Sequence, residues 1–373
     1  MLKWEFMVST QALFRPFRVH DLTLLNRVVM APMTRNFSPG GVPGPDVAAY
    51  YRRRAENGVG LILTEGTAIA HAAAVSSPRV PRFHGADALA GWAQVRAGVH
   101  AAGGRIMPQL WHVGMMRKPG DEPNPEAPPV GPSGIAVPAG PVSEPLTESE
   151  IGGLIAAYAQ GAADAQRLGF DGVELHGAHG YLIDQFFWDV TNQRTDRYGG
   201  DLAARTRFAA EAVRACRRAV GPRFPILLRF SQWKIADYNA RLAATPDELA
   251  RFLAPLCDAG VDIFHCSTRR FWEPEFPGSA LNLAGWTKKL TGKPAITVGS
   301  VGLDNEFTAA FREGKGAANT ALDAIIGMLE REEVDAVAVG RALLSDAAWA
   351  AKIRDGRTAE LQPFTVDALK VLT

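Results

Sequence analysis

The sequence predicts a single domain of the α/β class, folded as a closed (β/α)8 TIM barrel, and three observations favour this architecture. Short apolar or β-branched runs alternate with helical patterns along all 373 residues. Apolar residues make up 47% of the chain and charged residues 21%, which is enough apolar material for a large buried core. No linker or change of composition separates a second domain, so the repeated units favour a closed barrel over an open sheet.

The predicted strands are short segments rich in Val, Ile and Leu. In chain order they are Arg27–Pro32, Leu61–Glu65, Arg105–Leu110, Gly172–Leu175, Ile226–Phe230, Ile263–Ser267, Ala295–Val298 and Ala336–Val339. Helical patterns follow these strands in turn. They are Asp46–Asn57, Leu89–Ala102, Glu148–Leu168, Ala203–Ala219, Pro246–Ala259, Asn282–Leu290, Asp304–Glu313 and Asp346–Arg354. Regular alternation of this kind predicts a parallel sheet.

Residues at the helix ends support several of these boundaries. Thr147 and Glu150 have the spacing of a capping box, which predicts a helix start at Glu148. Thr245 followed by Pro246 combines an N-cap residue with a proline at the first helical position. Gly260 is placed to end the same helix just before the sixth strand.

Three segments depart from the simple repeat. A long loop rich in Pro and Gly, Val113–Pro145, follows the third strand, and Arg269–Leu281 follows the sixth. Loops after barrel strands lie on the catalytic face, where long ones usually shape a substrate pocket. The Ala-rich segment Gly316–Glu333 predicts an extra helix before the eighth strand. We expect residues 1–12 to form an N-terminal leader and residues 13–373 to form the barrel.

Charge and composition argue against several classes of partner. The net charge is +1 and the basic residues are scattered, unlike the basic stripe of a nucleic-acid-binding protein. No apolar run reaches the length of a membrane span, and the N-terminus has no secretory h-region. Cys216, Cys257 and Cys266 lack metal-ligand spacing and fit a reducing compartment. The sequence therefore predicts a cytoplasmic protein that binds neither nucleic acid nor membrane.

The segment most informative about chemistry follows the fourth predicted strand and contains His176, His179 and Tyr181. Two imidazoles three residues apart can both donate to one oxygen, which is what polarising a carbonyl requires, and Tyr181 could supply a proton nearby. Paired histidines also bind metal, although a metal would need further ligands from other strands. A purely structural role for the pair is the third possibility.

Three further strands end in residues that suit a flat heteroaromatic ring. At the first strand, Pro32 and small neighbours let the backbone approach closely, and the Thr34 hydroxyl can donate to a ring carbonyl. The amide of Gln109 can both donate and accept, as the edge of an isoalloxazine requires. Arg229 needs an anionic partner at the barrel mouth, and a reduced flavin or an internal acid would serve. Each segment alone also fits an ordinary strand end.

The last two strands end in glycine turns that suit a phosphate group. Gly299 and Ser300 follow the seventh strand, and Gly340 and Arg341 follow the eighth. Barrels often bind phosphate at these two loops, and an arginine adds a bidentate contact. One glycine–arginine pair means little, but two such turns on adjacent strands favour a phosphate site.

Together these segments resemble the Old Yellow Enzyme family of FMN-dependent ene-reductases, from about Leu13 to Ile353. The stretches that carry the resemblance are Leu13–Phe17, Asn26–Arg35, Gln109–His112, His176–Leu182, Arg194–Gly200 and Gly340–Arg341. Their combination and order are specific to that family. Thr34, where some relatives have cysteine, resembles the threonine-bearing branch.

The resemblance implies non-covalent FMN, NADPH or NADH as the hydride donor, enone or nitroalkene substrates, and a monomer or homodimer. It implies that His176 and His179 bind the substrate oxygen and that Tyr181 donates the proton. It further implies FMN contacts at Pro32, Thr34, Gly66, Gln109, Arg229, Gly299, Ser300, Gly340 and Arg341.

The substrate pocket is where the sequence departs from the family. The aromatic residues expected after the second strand are absent from Ala68–Ser77, so we expect Phe271 and Trp272 to line the pocket together with Trp111. A dienoyl-CoA reductase-like or dehydrogenase-type flavin barrel is an alternative, disfavoured because the chain has no C-x-x-C run. A flavoprotein that binds ligands without turnover and a metal-dependent barrel hydrolase are the others.

Overall fold

The computed structural model describes residues 9–306 and 313–373, and in these ranges eight parallel strands close into a barrel. The strands are β1 (Val28–Met30), β2 (Leu61–Ala68), β3 (Arg105–Trp111), β4 (Val173–His179), β5 (Ile226–Lys234), β6 (Ile263–Ser267), β7 (Ala295–Val298) and β8 (Ala336–Val339). Each pairs with its sequence neighbours, and β8 pairs with β1. The predicted (β/α)8 TIM barrel is confirmed.

Helices surround this barrel in the described ranges. They are α1 (Pro45–Glu56), α2 (Ala86–Ala101), α3 (Glu148–Arg167), α4 (Leu182–Phe187), α5 (Leu202–Arg205), α6 (Arg207–Val220), α7 (Pro246–Ala259), α8 (Leu283–Thr291), α9 (Asp323–Glu330), α10 (Arg341–Ser345) and α11 (Trp349–Arg354). The predicted caps are present: Thr147 forms a capping box with Glu150, and Thr245 accepts from the backbone of Glu248. None of the described helices is long and apolar enough to cross a bilayer.

Several predicted boundaries differ from the observed ones. Strand β1 stops at Met30, before Pro32, which has no N–H to donate to a sheet. The helix predicted from Asp346 begins at Trp349, because the Asp346 carboxylate accepts from the Ala348 backbone in the preceding turn. The helix predicted at Asp304–Glu313 falls largely on residues 307–312, outside the described residues.

The long loop after β3 and the extra helix before β8 are present as predicted. The long loop after β3 contains a short turn, Gly114–Met116, and a two-stranded ribbon that pairs Ile135–Ala136 with Gly140–Pro141. The extra helix before β8 is α9, which is shorter than the predicted segment. Near the other chain end, Ala12 and Leu13 are already buried in the core, while residues 1–8 lie outside the described residues.

An apolar cluster fills the amino-terminal end of the barrel interior. A hairpin pairing Phe17–Val19 with Leu22–Leu24 carries Leu22 and Leu24 against the strand beginnings. The apolar cluster there also contains Val29, Leu61, Leu63, Met107, Leu227, Ile263, Ile296, Ala336 and Ala338. This packing closes the amino-terminal end of the barrel, so the space for a ligand lies at the carboxyl ends of the strands, as in other barrels of this class.

Candidate active site

A cavity of about 480 Å³ opens at the carboxyl ends of the barrel strands. Its volume lies within the usual range for small-molecule sites. Most of the residues proposed from the sequence line it. They are Pro32, Thr34, Gly66, Gln109, Trp111, His176, His179, Tyr181, Arg229, Gly299, Ser300, Gly340 and Arg341. Residues from distant parts of the sequence therefore meet in one place.

Phe271 and Trp272 do not line this cavity. Phe271 is 4% exposed and packs in the core, where its backbone N–H donates to Gly299 and its carbonyl accepts from the Asn282 side chain. Trp272 lies at the surface with 44% of its area exposed. The two contacts of the Phe271 backbone fix the position of the loop after β6. The assignment of this aromatic pair to the pocket is corrected accordingly.

Strand β4 carries both histidines at its carboxyl end, inside the strand rather than after it. The two imidazole centroids lie 5.2 Å apart and their planes are nearly perpendicular. The Tyr181 ring is 5.0 Å from His176 and 4.9 Å from Trp111. His179 has a positive φ of 68°, uncommon for a residue with a side chain and costly unless its surroundings hold it.

Burial makes both histidines neutral. It lowers the pKa of His176 and of His179 well below the ordinary value, and the positive charge of Arg229 lowers both further. Each imidazole therefore offers one N–H as a neutral donor. In His176 the Nδ1 atom is buried without a hydrogen-bond partner among the described residues, so Nε2 is the nitrogen available to a ligand.

Arg229 lies beside the histidines because the strand register aligns it with His176 on β4 and with His265 on β6. It is 7% exposed, and burial lowers its pKa while the negative charge of Glu174 raises it. Glu174, however, is hydrogen-bonded to Gln109 at 2.7 Å and to His265 at 2.7 Å. Arg229 forms no ion pair within the described part of the chain, which leaves a buried cation facing the cavity.

Gln109 and Gly66 occupy the neighbouring strands of the same wall. Gln109 Nε2 donates to Glu174, which fixes the orientation of the amide. Gly66 follows an irregularity in the β2–β3 pairing, and a Cβ atom there would lie 2.6 Å from the Trp111 ring. A side chain at this position would displace Trp111, so Gly66 allows that ring to pack on the strand.

The opposite end of the cavity is formed by the loops after β7 and β8. Gly299 has a φ of 155°, and a Cβ atom would lie 2.5 Å from Thr268 Oγ1. Arg341 is 8% exposed and donates to the carbonyls of Asn305 and Glu306 and, at 3.4 Å, to Ser300 Oγ. This end can bind an anion through a guanidinium and nearby polar groups.

Several cavity residues were not among the sequence candidates. Trp233 stacks on His179 at 4.3 Å, Ser267 contacts the His179 Nε2 atom at 2.8 Å, and Tyr238 packs edge-on against Trp233. Leu369 reaches the same cavity from the last turn of the chain. For Trp233, Tyr238 and Ser267 the available signal was their position at or beyond the carboxyl ends of β5 and β6, which lie at the catalytic face, whereas Leu369 had no such signal.

Comparisons with known proteins agree with this geometry. The family model described as the NADH:flavin oxidoreductase / NADH oxidase family matches residues 12–360. Morphinone reductase, in complex with tetrahydroNAD, has a TM-score of 0.80 and 29% identity, covering 96% of this chain and 93% of its own. The Old Yellow Enzyme homologue from Zymomonas mobilis has a TM-score of 0.78 and 25% identity, covering 96% of each chain.

Curated relatives point to the same group. 12-oxophytodienoate reductase 7 of Oryza sativa subsp. japonica is 42% identical over 221 residues, which cover 56% of this chain and 56% of the relative. The NADH oxidase of Thermoanaerobacter brockii is 33% identical over 360 residues, which cover 94% of this chain and 52% of the relative. The chain thus spans about half the length of these two relatives. Since the family model matches nearly all of the chain, the protein belongs to the NADH:flavin oxidoreductase / NADH oxidase family, the Old Yellow Enzyme family that the sequence resembles.

Proposed function

We propose that the protein is an FMN-dependent ene-reductase that takes hydride from NADPH or NADH. Its substrates would be alkenes activated by a neighbouring carbonyl or nitro group. Family membership and the similarity to morphinone reductase support a flavin and a nicotinamide nucleotide as cofactors. One observation carries the proposal: two neutral imidazoles and a tyrosine converge on the same cavity as a buried arginine that forms no ion pair in the described ranges.

The cavity residues fit non-covalently bound FMN. Burying an unpaired cation is costly, so an electron-rich group is expected to meet Arg229 when the site is filled. The proposed ring contacts are Pro32, Thr34, Gly66, Gln109 and Arg229, and the proposed phosphate contacts are Gly299, Ser300, Gly340 and Arg341. When bound, the flavin would supply hydride transfer, while the protein supplies binding and orientation.

His176 and His179 would bind the oxygen of the activating group. Two N–H donors aimed at one oxygen stabilise the negative charge that develops there as the alkene is reduced. Because both imidazoles are neutral, they polarise the substrate through hydrogen bonds rather than through a full positive charge. Trp111 would form a wall of the same pocket, since its ring lies edge-on to Tyr181.

Tyr181 would donate the proton that completes the reduction. Burial raises its pKa to about 12, although the positive charge of Arg229 opposes the shift. The hydroxyl therefore remains protonated across the physiological range and can act as a general acid toward the α-carbon.

Steady-state assays with purified protein test the proposal. We expect FMN to bind and give a yellow protein, and NADH or NADPH to be consumed anaerobically in proportion to added cyclohexenone, N-ethylmaleimide or a nitroalkene. The products should be the saturated compounds. Failure to bind FMN would reject the proposal. Flavin binding without turnover of any alkene would instead indicate a ligand-binding flavoprotein.

A further inference from the structure

Ser267, the last residue of β6, lies between two groups of the candidate active site. Its Oγ atom is 2.8 Å from Nε2 of His179 and 3.5 Å from Nη2 of Arg229. The residue is only 3% exposed, and its backbone carbonyl accepts a hydrogen bond from the Trp233 indole at 3.1 Å. The hydroxyl is therefore held in place from both sides.

The chemistry of these groups determines the direction of each hydrogen bond. A guanidinium can only donate, so Ser267 accepts from Arg229 and keeps its own proton for another acceptor. The unprotonated Nε2 atom of His179 is such an acceptor. In the opposite arrangement, His179 would donate from Nε2, and the buried Ser267 proton would have no acceptor among the described residues. Leaving a buried donor unpaired is unfavourable.

A neutral imidazole carries one proton, so an unprotonated Nε2 requires a protonated Nδ1. The Nδ1 atom of His179 forms no hydrogen bond with the described residues and, unlike Nδ1 of His176, is not among the buried atoms without a partner, so it is the nitrogen that a ligand can reach. We propose that Ser267 is a positioning residue that holds His179 in the Nδ1–H tautomer. Resting on the proposed function, this tautomer supplies the second donor to the substrate oxygen.

The surroundings of His179 hinder any alternative orientation of its ring. The Trp233 indole stacks on the imidazole at 4.3 Å with planes 24° apart. The backbone N–H of His179 donates to Ser231 Oγ at 3.0 Å, and its carbonyl accepts from Ile235. A ring flip would break the contact between Nε2 and Ser267. The tautomer is therefore determined mainly by the hydroxyl, while Trp233 fixes the plane of the ring and Ser231 holds the His179 backbone.

The tautomer can be measured directly by ¹⁵N NMR of histidine-labelled holoprotein, because protonated and unprotonated imidazole nitrogens have distinct chemical shifts. His179→Gln identifies the signals of His179. We expect the Nδ1–H pattern in the wild type, its loss in Ser267→Ala, and its return in Ser267→Thr, which keeps a hydroxyl. Ser38→Ala is the matched control, since Ser38 is fully buried and its hydroxyl has no partner in the described ranges. A wild-type Nε2–H pattern, or an unchanged pattern in Ser267→Ala, would overturn the inference.

Binding and rapid kinetics supply a second readout. We expect Ser267→Ala to bind a phenol roughly tenfold more weakly, since one hydrogen bond to the ligand oxygen is lost. Flavin reduction by NAD(P)H should stay close to wild type, whereas reoxidation by cyclohexenone should slow. Equal losses in both half-reactions would mean that Ser267 acts only in packing. If the wild-type protein binds no FMN, the proposed function fails, but the tautomer of His179 can still be measured in the same protein.

Discussion

Among single residues, His176 has the most direct predicted effect on chemistry. His176→Ala removes one of two donors to the substrate oxygen, and losing such a donor costs about 3–4 kcal/mol of transition-state stabilisation. We therefore expect reoxidation of the reduced flavin by an enone to slow on the order of a hundredfold or more, and phenol binding to weaken. Stopped-flow absorbance measures the rate. His84→Ala, a half-buried histidine outside the cavity, is the control, and wild-type rates in His176→Ala would reject the role.

Tyr181 can be tested with a change that removes only the hydroxyl. Tyr181→Phe retains the ring contacts with Trp111 and His176, so packing should be preserved. Loss of a general acid should slow alkene reduction by roughly a hundredfold while flavin reduction by NAD(P)H continues. Because burial raises the pKa of Tyr181 to about 12, the wild-type rate should show no tyrosine ionisation near neutral pH. A parallel loss in both half-reactions would indicate a packing defect.

The sequence revealed the residues with distinctive chemistry better than those that support them. His176 and Arg341 closely follow strand-like runs and Arg229 lies near the end of one, and this position at the ends of predicted strands is what placed all three at the cavity. Ser267 and Trp233 are important through contacts across strands, and the register that creates those contacts cannot be read from one sequence. Phe271 was misplaced because hydrogen bonds to the loop after β7 and to Asn282 determine where its loop lies.

At the level of elements, a buried ion pair joins the end of β5 to the first turn of α4. Lys234 Nζ is 2.7 Å from Asp184 Oδ1, both side chains are fully buried, and Asp184 Oδ2 accepts from the Gly180 backbone. Lys234→Met would leave an uncompensated buried carboxylate, so the free energy of unfolding should fall by about 3–5 kcal/mol in urea titrations.

A double variant separates charge from packing in this pair. Adding Asp184→Asn to Lys234→Met removes the second charge, so the loss of stability should be smaller than in Lys234→Met alone. Lys370→Met, which removes a surface pair with Asp367, should change stability little. If the single and double variants are equally stable, the Asp184 carboxyl group is already neutral in Lys234→Met.

Glu65, in the middle of β2, links that strand to the loop after β1 and should make stability depend on pH. Its Oε2 atom accepts from the Arg35 backbone at 2.9 Å, and burial raises its pKa from 4.5 to about 7. The folded protein therefore binds this proton more tightly than the unfolded chain, and this contribution to stability is lost as pH rises from 4.5 through 7. Urea titrations at several pH values in this range measure how the free energy of unfolding depends on pH. Glu65→Gln should remove the part of that dependence that Glu65 causes, whereas exposed Glu144→Gln should keep it. If the free energy of unfolding of Glu65→Gln changes with pH as in the wild type, other groups cause the pH dependence.

The order of elements was easier to predict than their ends. Buried parallel strands are continuous apolar runs, so each barrel strand was recognisable from composition alone. Strands β2, β4 and β5 nevertheless extend well past their predicted ends, because Gly66, His179 and Lys234 continue the backbone pairing with polar or small side chains. Because the last residues of these strands are polar or small, the hydrophobic pattern alone does not predict that they belong to the strands.

For the molecule as a whole, the barrel divides into a packed end and an open end. The hairpin residues Leu22 and Leu24 close the amino-terminal end, while the carboxyl end retains a cavity of about 480 Å³ lined by Arg229 and Arg341. A buried cation without a counter-anion is unfavourable, so a bound anionic cofactor should stabilise the fold as well as enable the reaction. We expect the melting temperature to rise on addition of FMN.

Riboflavin, which has the same ring but no phosphate, tests how that stabilisation divides between the two ends of the site. A ligand at 100 times its Kd stabilises the folded state by about 2.7 kcal/mol, and a weaker ligand at the same concentration stabilises it less. The shifts in melting temperature measured at equal concentrations of FMN and riboflavin therefore give their relative affinities. FMN should give the larger shift, because Arg341, Ser300 and the glycine turns after β7 and β8 would bind its phosphate. Arg341→Ala should shrink the difference between FMN and riboflavin even if it also lowers the stability of the free protein. Exposed Arg331→Ala should leave the difference intact, and an undiminished difference in Arg341→Ala would place the phosphate elsewhere.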